Sequence, residues 1–128
     1  MTTLIAFLAS LAGGAGAVAR YALDTRITRR LGGPFPWGTV VINVSGSFAL
    51  GLVTGFAEAH SLSSSWALVL GAGFLGGYTT FSTASVQAAE LFGRRRHGLA
   101  VVYAGGMLAA ALLAAAAGLA LSYAWGSA

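Results

Sequence analysis

The chain has no cysteine and no lysine, and only three acidic side chains and two prolines among 128 residues. Without cysteine there can be no disulfides and no thiolate metal sites, and no trace of the redox compartment is left to read. Only 8% of residues are charged, against about 25% in ordinary soluble domains. A chain so poor in charge cannot cover itself with a water-compatible surface. It is 57% hydrophobic, with a mean hydropathy of +0.80. These values describe an integral membrane protein of one domain, residues 1–128, with no second domain or linker. Carboxylates inside the apolar runs are also missing. Asp24, Glu58 and Glu90 all fall at or near their ends, which argues against a proton-coupled exporter of the small multidrug type. His60 and His97 fall in the polar connections, and no apolar run carries a nucleophile beside a base. Enzymatic chemistry is therefore not expected.

Apolar runs are plentiful. A membrane crossing takes roughly 20 apolar residues, and four stretches qualify, at about 4–23, 38–57, 66–92 and 98–125. The first lacks a basic leader and is too long for a signal-peptide core, so it is expected to be a mature span. The connection TRITRRLGGPFP should stop the first helix through its glycines and prolines. EAHSLSSS separates the second and third runs, and GRRRH the third and fourth. Trp37, Trp66 and Trp125 fall at span ends, where interfacial anchors belong. Positive charge is lopsided: Arg26, Arg29 and Arg30 lie in the first connection and Arg94, Arg95 and Arg96 in the third. The positive-inside rule then predicts both connections in the cytoplasm and both termini outside.

Polar residues within the spans carry the remaining information. Asn43 in the second span must face protein or water, because an unpartnered amide in hydrocarbon costs several kcal/mol. It can hold two helices together or line a pore. Ser47, Gly51 and Gly55 follow at four-residue spacing, the pattern of a close-packed helix face. Arg20 in the first span can snorkel to the basic interface, or draw anions to a vestibule. The third span contains GGYTTFSTAS, residues 76–85, with two adjacent glycines and then five serine and threonine hydroxyls. Paired glycines permit backbone angles that strain other residues, so a break is expected here. A break at membrane depth survives only where it is buried in protein or lines a cavity. It frees carbonyls that bind cations and amides that favour anions. The bland alternative is a kinked helix whose Ser and Thr bond back to their own backbone. Phe81 adds a ring edge, the positive end of the aromatic quadrupole.

Three motifs together resemble the Fluc (CrcB) family of fluoride channels. They are GGxGAxxRY at 13–21, GTxxxNxxGSFxxG at 38–51 and GGxTTFST at 76–83. The resemblance covers essentially the whole chain. It implies an all-α membrane protein of four transmembrane helices, the third broken near its middle, paired as an antiparallel dimer. It implies passive export of fluoride through two narrow pores, and a structural sodium ion at the dimer interface. Carried over by position, Asn43 would donate to fluoride and Phe81 would line the pore. Ser82, Thr83 and Tyr103 would belong to the polar path, and Arg20 to the vestibule. Gly76 and Thr79 would offer backbone carbonyls to sodium. Fluoride is small and strongly hydrated, and amide, hydroxyl and ring-edge hydrogens replace its water without a fixed cation that would trap it.

Four positions depart from the family pattern. Ala84 replaces a second phenylalanine, Gln87 a glutamate, and Met107 and Ala111 the serine or threonine of the polar track after Tyr103. One half-pore therefore reads as impoverished. The strong arginine bias fits a subunit that inserts one way only. The expectation is a heterodimer with an oppositely oriented paralogous subunit, a homodimer being the alternative. A small multidrug-type transporter and a non-conducting membrane assembly subunit are the rival functions.

Overall fold

The computed structural model describes residues 2–126, and these are helical almost throughout. The chain runs through α1 (Thr3–Leu31), α2 (Trp37–Glu58) and the short α3 (Ser64–Ala67). Next come a π-helical stretch (Leu68–Leu75) and a single turn, α4 (Gly76–Tyr78). After an interruption the chain resumes as α5 (Ser82–Gly93) and ends in α6 (His97–Gly126). Among the described residues, α1, α2 and α6 are each long and apolar enough to cross a membrane. The fourth crossing is assembled from the pieces between Ser64 and Gly93. The protein is a multi-pass, all-helical membrane protein with a broken third span.

Two details differ from the expectation. The basic segment TRITRR is not a loop: α1 continues to Leu31, so Arg26, Arg29 and Arg30 ride its last turns. Cationic side chains suit the negative end of a helix dipole, so the arginines extend the helix instead of ending it. It stops only where Gly32 and Gly33 take φ of 57° and 78°, values that glycine adopts without strain. The second difference lies in the third span. Gly76 and Gly77 are helical, Gly76 with φ −60° and ψ −39°, and the chain opens only after Tyr78. The glycine pair was expected to make the break. Gly77 instead serves close approach, since a side chain there would collide with the backbone of Gly13.

Small residues set the packing. α2 lies along α6, and α1 lies along the π-helical stretch and α4. A Cβ at Gly51 would strike the carbonyl of Ala115, one at Gly118 the carbonyl of Phe48, and one at Gly55 the side chain of Ser122. The Gly51/Gly55 spacing is thus a packing face, while Ser47 borders a groove. Lipid gives helices no hydrophobic reason to associate, so backbone approach and van der Waals contact do the work. The buried apolar cluster of Ala84, Leu91, Ala100 and Tyr103 joins α5 to α6, with Phe35 and Val40 against it. Outward faces carry exposed Leu, Val and Phe, as lipid contact requires.

Gly51→Val should destabilise the fold by about 1–3 kcal/mol through overpacking of the α2–α6 contact. Gly105, on α6 with open space around it, gives the contrast. Gly105→Ala should be neutral, or stabilising by roughly 0.5–1 kcal/mol. Reversible unfolding in detergent micelles measures both.

Candidate functional site

The site is built around the peptide groups freed at 79–81. Thr79 is the first extended residue, with φ −79° and ψ 160°. Its N–H and its hydroxyl both return to the carbonyl of Leu75, each at 2.9 Å. Thr80 follows, buried. Its N–H donates to Asn43 Oδ1 at 2.8 Å, and its carbonyl accepts from Asn43 Nδ2 at 2.8 Å. The Asn43 amide thus pairs edge to edge with one main-chain residue, as a neighbouring strand would. The Thr80 hydroxyl accepts from the N–H of Thr83 at 3.2 Å and donates to the Thr83 hydroxyl at 3.0 Å. It caps the start of α5, where orphan N–H groups need acceptors.

Arg20 does not extend to the basic interface. Its Nη1 donates to the Thr79 carbonyl at 3.3 Å. α1 and α2 thereby supply partners for successive peptides of the break, where lipid offers none. The π-helical stretch leads into the same region. Gly76 N–H reaches back five residues to the Gly71 carbonyl, a wide turn often found at functional sites. Because Thr80 N–H goes to Asn43, it passes over the Gly76 carbonyl, its ordinary helical acceptor.

Asn43 has one hydrogen left. It points at Met107 Sδ, 3.5 Å from Nδ2, in a groove of about 580 Å³ between α2, the break, α5 and α6. Thr79, Thr80, Phe81, Ala84 and Ala111 also line this groove. Phe81 projects from the break with 88% of its surface exposed. Ser82 and Thr83 do not join this groove. They lie on the other face of α5 with Gln87 and Glu90, along a second cleft of about 400 Å³. Tyr103 lines neither cleft and lies in the packed contact between α5 and α6. It is completely buried, donates to Gln87 Oε1 at 2.8 Å and makes a T-shaped contact with Phe35 at a centroid distance of 5.6 Å.

The structure therefore gathers Asn43, Phe81, Gly76 and Thr79 on one groove, with Arg20 behind them. It sets Ser82 and Thr83 on the opposite face of α5 and buries Tyr103 of α6 in the contact with α5, away from the groove lining. Thr80 is the residue whose role sequence reasoning missed. Its signal was a hydroxyl three positions before Thr83, at the start of a helix. Gln87 stood out as a departure, but its place as the acceptor for Tyr103 was not foreseen.

The sequence profile of the CrcB-like proteins, also described as Camphor Resistance (CrcB), matches residues 7–119. The chain belongs to this family. Among its CrcB relatives is the "Fluoride-specific ion channel FluC 1" of Leifsonia xyli, 50% identical over 119 residues, covering 93% of this chain and 87% of the relative. The "Fluoride-specific ion channel FluC 2" of Cutibacterium acnes is 51% identical over 115 residues, 87% of this chain and 91% of the relative. The "Fluoride-specific ion channel FluC 1" of Symbiobacterium thermophilum is 46% identical over 121 residues, 93% and 96%. The matched region contains the segments of α1, α2 and the third span that meet at the break.

Asn43→Ala leaves the buried N–H and carbonyl of Thr80 without partners, at a cost of about 1–3 kcal/mol. Amide exchange at Thr80 should accelerate by roughly one to two orders of magnitude, with Ile42 as the internal reference. Hydrogen exchange read by NMR in micelles checks this.

Proposed function

We propose that this chain is a subunit of a passive, fluoride-selective channel in the bacterial inner membrane. The observation that carries the reading is the Asn43 amide. It is held rigid by Thr80, with its remaining N–H directed into a groove at membrane depth. An ion as strongly hydrated as fluoride enters such a place only if firm donors replace its water. The exposed Phe81 ring edge supplies a second donor surface. The names of the CrcB relatives support the choice of ion.

An antiparallel dimer completes the site. The groove is open on one side, and both Phe81 and Gly76 are exposed there, so one subunit alone gives half a wall. The same surface favours a structural sodium ion. The Gly76 carbonyl has lost its helical donor, and the Thr79 carbonyl retains a lone pair beside Arg20. Two carbonyls from each subunit would hold the ion, which supplies positive charge that ties the two breaks together. The Arg20 guanidinium opposes a second cation nearby, so carbonyls from both subunits are needed. The arginines at the end of α1 and those between α5 and α6 fix one insertion direction, which favours an oppositely oriented paralogous partner.

The transporter alternative finds no support from carboxylate placement. Asp24 sits against Gly38 at the start of α2, Glu58 ends α2 and bonds Tyr123, and Glu90 is exposed near the end of α5. A carboxylate that couples protons to a substrate needs a place at the midplane.

Liposomes loaded with fluoride and read by a fluoride electrode test the proposal. The chain with its partner should release fluoride and retain chloride, and Asn43→Asp should abolish the flux. The variant sets a negative charge in the anion's path and also loses the donor to Thr80. Undiminished flux in Asn43→Asp would remove Asn43 from the path. Full flux from the chain alone would show that a homodimer suffices.

A further inference from the structure

We propose that Met107 is a movable plug in this chain's half of the pore. Its thioether would seat on the one Asn43 N–H that Thr80 leaves over. The proposal rests on the fluoride reading above and deepens it. The amide nitrogen carries two hydrogens. One is committed to the Thr80 carbonyl at 2.8 Å, and the other meets Met107 Sδ at 3.5 Å. Met107 thus occupies the place where an anion would accept from Asn43.

The chemistry of the contact suits a plug that yields. A thioether sulfur is a weak acceptor, on an unbranched side chain with three rotatable bonds. A hydrogen bond to a charged acceptor is roughly twice as strong as a neutral one, so fluoride at Nδ2 displaces the sulfur. The sulfur in turn satisfies the amide when no anion is present. Neighbouring α6 positions do not close the groove. Ala104 and Ala111 line it on either side of Met107 and are too short to reach across. The long side chain at 107 therefore decides whether the groove is continuous past Asn43.

The experiment uses the full chain reconstituted with its oppositely oriented partner in liposomes with a fluoride electrode, comparing Met107→Ala, Met107→Ile and Leu113→Ala with the unsubstituted chain. Met107→Ala removes both the bulk and the sulfur. Its efflux should rise by about tenfold or more. Met107→Ile keeps the bulk on a stiffer side chain and should be no faster than the unsubstituted chain. Leu113 lies on the exposed face of α6, and its variant should match the unsubstituted chain. A second readout does not depend on conduction. The chain has two methionines, so methyl-labelled methionine gives one reporter in the groove, assigned by its loss in Met107→Ala. The Met107 methyl resonance should shift with sodium fluoride and stay fixed with sodium chloride. Equal efflux from Met107→Ala and the unsubstituted chain overturns the plug and leaves the fluoride reading standing. So does a methyl signal indifferent to fluoride in a chain that conducts it. Silence of every variant, with no methyl response, overturns both.

Discussion

The pairing of the Asn43 amide with the Thr80 peptide is the constraint on which the site depends. A helix that breaks in a bilayer strands main-chain groups where no water can reach them, at several kcal/mol each. Thr80 presents both a donor and an acceptor, and a carboxamide is the side chain that answers both at once. Aspartate lacks the donor, and serine is too short to span both groups. Arg20 answers the carbonyl before it, and the Thr80 hydroxyl answers the helix that restarts after it. Each substitute comes from a different element: α1, α2 and the break itself. The break is therefore stable only in the assembled fold, and its geometry reports on how α1 and α2 sit.

Packing supplies that assembly. The glycines of α2 and α6 bring two backbones together so closely that no side chain fits between them. This fixes the axial register of α6 against α2 and sets Met107 opposite Asn43. Gly13 and Gly77 do the same for α1 and α4, which places Arg20 within reach of Thr79. Polar contacts at the break and small-residue contacts beside it are parts of one arrangement. A shift of either helix by a single turn, about 5.4 Å, would carry the polar side chain past its peptide.

Much of this could be read in the sequence. Hydropathy marked the four crossings, and the GGYTTFSTAS composition marked the broken span. Asn43 stood out because an amide in hydrocarbon needs a reason. Helix boundaries were less legible. The arginines at 26, 29 and 30 read as loop, yet they are good helix formers that complement the helix dipole. The wide π-helical turn left no mark, since its Leu, Val and Gly residues suit an ordinary helix equally well. The faces of α5 were also hidden. A run of alternating hydroxyls does not reveal which of them turns toward α6, because residues two apart on a helix point apart. Ser82 and Thr83 therefore separate from Asn43, although the resemblance set all three along one polar path.

The disposition of charge follows from the same economy of partners. Among the described residues Arg20 is the one cationic side chain bonded to the break, its guanidinium engaged by the Thr79 carbonyl. That contact spreads its charge onto main chain and leaves it behind the groove instead of inside it. The side chains that line the groove are neutral: an amide, a phenyl ring, hydroxyls and aliphatic groups. Neutral donors in a low-dielectric setting attract an anion strongly enough to replace water, while a bare guanidinium in the same place would hold it. The positive field of Arg20 still reaches the groove from behind, where it offsets part of the anion's desolvation without offering a binding partner. On the α6 side the groove is lined by Ala104, Met107, Leu108 and Ala111, none of which carries a strong donor, so its polar character comes from α2 and the break.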